Sequence, residues 1–166
     1  IIKEIAPAAQ DIQDPQIARI VGDAFDAAGQ KDRAREFLTR TAELLPESEE
    51  ARLKVARSLR EEGKLQEALA AAEQLVRDLP RSAAARTELG RVVEAMGDAG
   101  KALDHYRAAV QLDRGSPDPL TQAGRLLLAD GQVKEALNLL KQAAALPGAT
   151  AETFHWLGEA HLASGK

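Results

Sequence analysis

The chain has 166 residues, 45% hydrophobic and 29% charged, with a formal net charge of −4. That is enough apolar material for a core, and an acidic chain with only 3% aromatic residues excludes wholesale nucleic-acid binding and base-stacking platforms. The longest apolar runs fall far short of the ~20 residues needed to cross a membrane, and the absence of cysteine excludes disulfides and thiolate zinc sites but leaves the compartment, cytoplasmic or bacterial periplasmic, open.

Residues 1–14 are expected to form a short leading helix or a linker, because Pro7 would interrupt a longer helix. From Pro15 onward the chain repeats itself. Gly29, Gly63, Gly97, Gly131 and Gly165 stand 34 residues apart. Asp14, Ser48, Ser82, Ser116 and Thr150 keep the same step, and all are good helix N-cap residues. Pro15 and Pro117 follow two of these caps, where a first-turn proline sacrifices no hydrogen bond. The expected units are therefore 15–48, 49–82, 83–116 and 117–150, with 151–166 the first helix of a truncated fifth. Each reads as cap, helix, glycine, helix, turn.

In the unit that begins at Glu49, the first helix is expected to run to about Glu62 and the second from about Leu65 to Asp78. Gly63 between them stops the first helix by adopting a left-handed conformation. Two small-residue columns mark where the paired helices cross closely: Gly22, Ala56, Gly90, Gly124 and Gly158 on first helices, and Ala34, Ala68, Ala102 and Ala136 on second helices. Larger apolar columns fill the seam around them, among them Phe25, Leu59, Val93 and Leu127, and Leu38, Ala72, Tyr106 and Leu140.

A 34-residue helix–turn–helix unit with these glycine, alanine and proline columns resembles the tetratricopeptide repeat, and "ELGRVVEAMGDAGKALDHYRAAVQLD" carries the pattern closely. The resemblance implies an all-α, right-handed superhelical solenoid of antiparallel helix pairs in which each unit contacts its neighbours. The large aromatic usual at the fourth place is replaced by Ala18, Arg52, Arg86 and Leu120, and only Phe154 fits. Pentatricopeptide repeats are disfavoured by their longer usual period and by the acidic charge. The half unit ending at Lys166 is expected to leave Phe154 and Leu157 incompletely covered, so that end-to-end self-association through this helix is expected. Trp156 is expected to pack on a further part of the array or to anchor a partner.

No constellation for chemistry stands out. His155 and His161 are six residues apart and lie on different helix faces. His155 and Glu159 share a face, where an ordinary helix pair is the simpler reading. "DRGSPDP" lacks the ligand spacing of a calcium loop, and no phosphate-binding glycine loop or nucleophile elbow occurs. No enzyme activity, cofactor or metal is expected.

The resemblance further implies that places on the first helices line a concave groove. There the ninth place gives Arg57, Arg91 and Arg125 in successive units, and the fifth gives Arg19, Leu53, Thr87, Thr121 and His155. Arg125 has no acidic residue one turn away on its own helix. The three arginines, with Arg19, Thr87, Thr121 and His155 beside them, are the expected partner-binding residues. Their expected ligand is a protein or peptide, in particular an acidic segment. The lysine and asparagine clamp by which some relatives hold chaperone tails is not reproduced. The expected role is a protein–protein interaction scaffold cut from a longer protein. The alternative is a recruitment module of a larger enzyme or of a bacterial envelope secretion or polysaccharide-export machine.

Overall fold

The computed structural model describes residues 8–165. Among them every regular element is helical, and the first helices begin at Pro15, Glu49, Ala83, Pro117 and Ala151. The chain divides into two compact units, Ile1–Arg77 and Asp78–Lys166. The first holds α1 (Pro15–Ala27), α2 (Lys31–Leu44), α3 (Glu49–Glu61) and, but for its last residue, α4 (Leu65–Asp78). The second holds α5 (Ala83–Ala95), α6 (Ala99–Leu112), α7 (Pro117–Ala129), α8 (Val133–Ala145) and α9 (Ala151–Ala163).

Helix starts follow from the cap column, with one exception. Asp14 accepts from the Gln16 amide at 2.8 Å, Ser48 from Ala51 at 3.2 Å and Ser82 from Ala85 at 2.8 Å. Ser116 makes no such bond. The third helical residue, which supplies the donor for Ser48 and Ser82, is here Pro119, and proline has no N–H. Helix ends follow from the glycine column. Gly63 sits at φ +75°, its amide reaches the Arg60 carbonyl at 3.0 Å and the Lys64 amide reaches Leu59 at 2.9 Å. This pair of bonds satisfies carbonyls that the last turn of α3 would leave open.

In the first unit Ile12, Ala18, Phe25, Ala34 and Phe37 form one buried cluster. The Phe25 and Phe37 rings stack with centroids 5.4 Å apart, and the Arg33 guanidinium lies 4.3 Å above Phe25. Residues 1–7 of the expected leader lie outside the described residues. Its remainder is a single 3-10 turn, Ala9–Asp11, followed by the buried Ile12, whose carbonyl accepts from Arg40 Nε at 2.8 Å. Polar contacts link successive helix pairs: Glu62, at the end of α3, takes Arg35 from α2 at 2.9 Å, with Lys64 at 2.6 Å and Ser58 at 3.0 Å. Burial opposes ionisation of Glu62, but the bonds from Lys64, Arg35 and Ser58 outweigh it and hold its carboxyl below the usual range.

In the second unit Leu127, Ala136, Leu140 and Ala160 form the buried cluster, with Leu103, Leu128, Trp156 and Leu157 packed on it. The glycine column explains how closely its helices approach. A Cβ on Gly90 would stand 2.7 Å from the Tyr106 ring, and one on Gly124 would stand 2.6 Å from Leu140 Cγ. Tyr106 and Leu140 are fully buried because those glycines leave room for them.

Candidate partner-binding site

The first helices α5, α7 and α9 of the second unit carry a polar face with two groups of contacts between successive helices. Arg91 on α5 is half-buried; its guanidinium lies 2.5 Å from Asp118 on α7 and 3.6 Å from Glu88 on its own helix. Burial works against the charge on Arg91, but Asp118 and Glu88 more than offset this, so its affinity for the proton is raised. One unit further, Arg125 donates to Glu94 of α5 and, at 3.2 Å, to Gln122 of its own helix. Its guanidinium also stands 5.9 Å from the centre of the Trp156 ring.

Glu94 is the node of this face. Its other oxygen accepts from the buried Tyr106 hydroxyl at 2.8 Å. Burial and that hydrogen bond both push the phenol well above its ordinary range, so Tyr106 stays a neutral donor. Gln122 continues the chain to Glu152 on α9 at 3.1 Å.

The sequence-predicted residues fare differently. Arg125 has no acid one turn away on its own helix, yet it is paired, because Glu94 comes to it from 31 residues earlier. Thr87 and Thr121 do not offer their hydroxyls to a partner. Both are buried, and each donates to the carbonyl one turn back, Ala83 at 2.7 Å and Pro117 at 2.9 Å. Thr121 also meets Thr153 of α9 at 2.8 Å, so this column is interhelical packing. His155 is exposed and packs edge-on to Trp156 at 5.1 Å. Trp156 itself is half-buried against the Leu127–Leu140 cluster. Arg57 and Arg19 belong to the first unit. Arg57 is exposed on α3, and Arg19 pairs with Asp23 at 3.3 Å and Gln16 at 3.4 Å.

Partners at i, i+3 and i, i+4 on a single helix do not reveal this network. Glu94 and Arg125 are separated by one repeat less three residues, which brings adjacent turns of successive first helices together. Reading the columns across units at that offset finds the pair. Among the described residues no group of three or more His, Asp or Glu could hold a metal, and no helix is long and apolar enough to cross a membrane.

Two family models, both described as tetratricopeptide repeat, match this chain, one over residues 21–70 and 53–117 and the other over 93–149. No curated protein matches it in sequence. Among solved structures it is similar to TTC0263, a thermophilic TPR protein of Thermus thermophilus. The identity is 25% and the TM-score 0.78, over 92% of this chain and 84% of that one. MamA from Desulfovibrio magneticus RS-1 shares the fold at 22% identity and a TM-score of 0.67, over 87% and 81% of the two chains. Yeast Tom70 shares it at 20% identity and 0.79, over 93% of this chain and 34% of Tom70.

Proposed function

The chain belongs to the tetratricopeptide repeat family, and on that premise we propose that the α5–α7–α9 face of the second unit is where it holds a partner segment. The family's fold is a protein-interaction scaffold. The observation that supports this face is its set of polar contacts between successive first helices, Arg91 with Asp118, Arg125 with Glu94 and Gln122 with Glu152, ending beside Trp156 and His155. Arginine and tryptophan are the side chains that most often carry interface energy, and here their rotamers are held before a partner arrives.

The partner's charge follows from the pairing. The expectation of an acidic segment rests on Arg57, Arg91 and Arg125 sharing one place in three successive units and on Arg125 lacking a local partner, but Arg91 and Arg125 already hold carboxylates. The outward places of α5, α7 and α9 set Arg91 and Arg125 against Glu94, Asp118, Glu152 and Glu159. The face is net negative, so a neutral-to-basic segment suits it better than an acidic one. Glu152 and Glu159 are exposed, and reversing both to lysine removes this attraction without touching the core. Capture of the partner by the folded double variant should fall, most visibly at low salt. Capture that rises instead would reinstate the acidic segment, and unchanged capture would move the binding surface elsewhere.

A further inference from the structure

The first unit holds a cleft that none of its own side chains fills. It is bounded by α1, α2 and α3 and has a volume of about 170 Å³. Leu38, Thr41 and Leu45, from α2 and its C-terminal end, and Ala51 of α3 form an apolar floor. The Thr41 hydroxyl is already committed to the Phe37 carbonyl at 2.8 Å, so the floor asks for no hydrogen bond there. Arg19 of α1 and Lys54 of α3 stand at the rim.

The corresponding place in the second unit, three repeats later, is closed, and the chain shows what closes it. There Thr121 and Thr153 meet at 2.8 Å. The Trp156 ring packs on the cluster that contains Leu140, with the Arg125 guanidinium 5.9 Å from the ring centre. Leu38 is the counterpart of Leu140, so the floor is the same. Arg19, Ala51 and Lys54 are the counterparts of Thr121, Thr153 and Trp156. An alanine methyl cannot make the threonine bridge, and Lys54 brings a cation where the second unit has its ring. The first unit keeps the floor and lacks the ring.

We propose that this cleft receives one aromatic side chain, phenylalanine or tyrosine, of a partner segment lying across α1 and α3. The size fits one ring and no more, since an apolar cavity of ~150 Å³ is enough to hold benzene. The rim selects an aromatic ring over an aliphatic group of the same bulk. Arg19 reaches Asp23 at 3.3 Å and Gln16 at 3.4 Å, and Lys54 reaches Asp23 at 3.3 Å and Glu50 at 3.7 Å. These are long contacts made by part-exposed side chains, so little is lost when the cations turn to the face of a ring. Asp23 and Glu50 balance the two cations, so the rim gives a carboxylate no advantage and the entering group is neutral. This site lies in the first unit and does not rest on the α5–α7–α9 face.

The test uses the whole chain and two neutral probes of similar bulk, N-acetylphenylalanine amide and N-acetylcyclohexylalanine amide, of which only the first has a π-face. Two-dimensional NMR should show saturable shifts of the Leu38 and Ala51 amides with the phenylalanine probe, and roughly two- to fivefold weaker binding of the cyclohexyl probe. Lys54→Met keeps the stem, removes the charge and should narrow that gap. Ala51→Leu fills the floor and should abolish the shifts. Because Ala51 is buried, Lys54→Trp is the second filling variant. It supplies a ring from the chain itself at a part-exposed position, and circular dichroism checks that both variants are folded. Absence of saturable shifts, or binding that survives both filling variants, overturns the proposal. Equal binding of the two probes overturns it too, because the cleft would then take any apolar group.

Discussion

Replacing the column glycines by alanine one at a time tests the packing register, because one substitution should then have opposite effects at different places. In a helix interior alanine is favoured over glycine by roughly 0.5–1 kcal/mol. At Gly158 nothing lies within 4 Å of the added Cβ, so Gly158→Ala should stabilise by about that amount. At Gly124 the Cβ would stand 2.6 Å from Leu140 Cγ, and at Gly90 it would stand 2.7 Å from the Tyr106 ring. Both neighbours are fully buried and have little space to retreat into. Overpacking of this kind costs ~1–3 kcal/mol, which exceeds the helix gain, so both variants should be net destabilised by about 0.5–2 kcal/mol. Gly22 lies between these cases, with its closest contact at 3.3 Å to Phe37 Cβ. Urea and thermal unfolding followed by circular dichroism read the sign directly, with shifts of about 2–4 °C per kcal/mol for a chain of this size. If all four variants move in the same direction, the assigned helix crossings are wrong.

Three other predictions rest on individual contacts. Ser48→Ala and Ser82→Ala should each lower stability by about 1 kcal/mol, whereas Ser116→Ala should be nearly silent in the same unfolding assay because Ser116 caps no amide. Tyr106→Phe should cost about 0.5–1.5 kcal/mol by losing the bond to Glu94, and Glu94→Ala should cost more because it strands both Tyr106 and Arg125; a double-mutant cycle that shows no coupling would refute the node. Glu62 is more acidic when folded than its ordinary value of 4.5. Its contribution is therefore complete above that pH and is lost as pH falls through the lower folded value. Denaturation midpoints of Glu62→Gln should accordingly fall less steeply between about pH 5 and 3 than those of the parent.

What the sequence makes legible is whatever repeats. The glycine and cap columns fix where helices start and stop, and α4 occupies the residues expected of it, Leu65 to Asp78. The small columns can be read because close helix crossings need them, but that Gly90 makes room for the Tyr106 ring, rather than only for Ala102, is visible in the structure alone. The cap column misleads at Ser116 because a cap also needs a donor, and Pro119 has none to give. The polar face is less legible still. Thr87 and Thr121 read as small groove residues, but a threonine hydroxyl at a helix crossing bonds its own backbone one turn back and is then buried by the neighbouring helix. Arg125 reads as unpaired because its carboxylate comes from another helix. Such pairings depend on three-dimensional register, which a search along a single helix does not reveal.

The claim that the α5–α7–α9 face receives a partner is tested most directly by site-specific photo-crosslinking. A photoreactive phenylalanine analogue would replace His155, exposed beside Trp156, in one variant and Lys141, exposed on α8, in another. Each full-length variant would be irradiated in the cells that make the protein. The account predicts a discrete crosslinked partner from position 155 that is absent at 141, and that is reduced when Glu152 and Glu159 are also reversed to lysine. Equal crosslinking from both positions, or a crosslink from 141 alone, would contradict it.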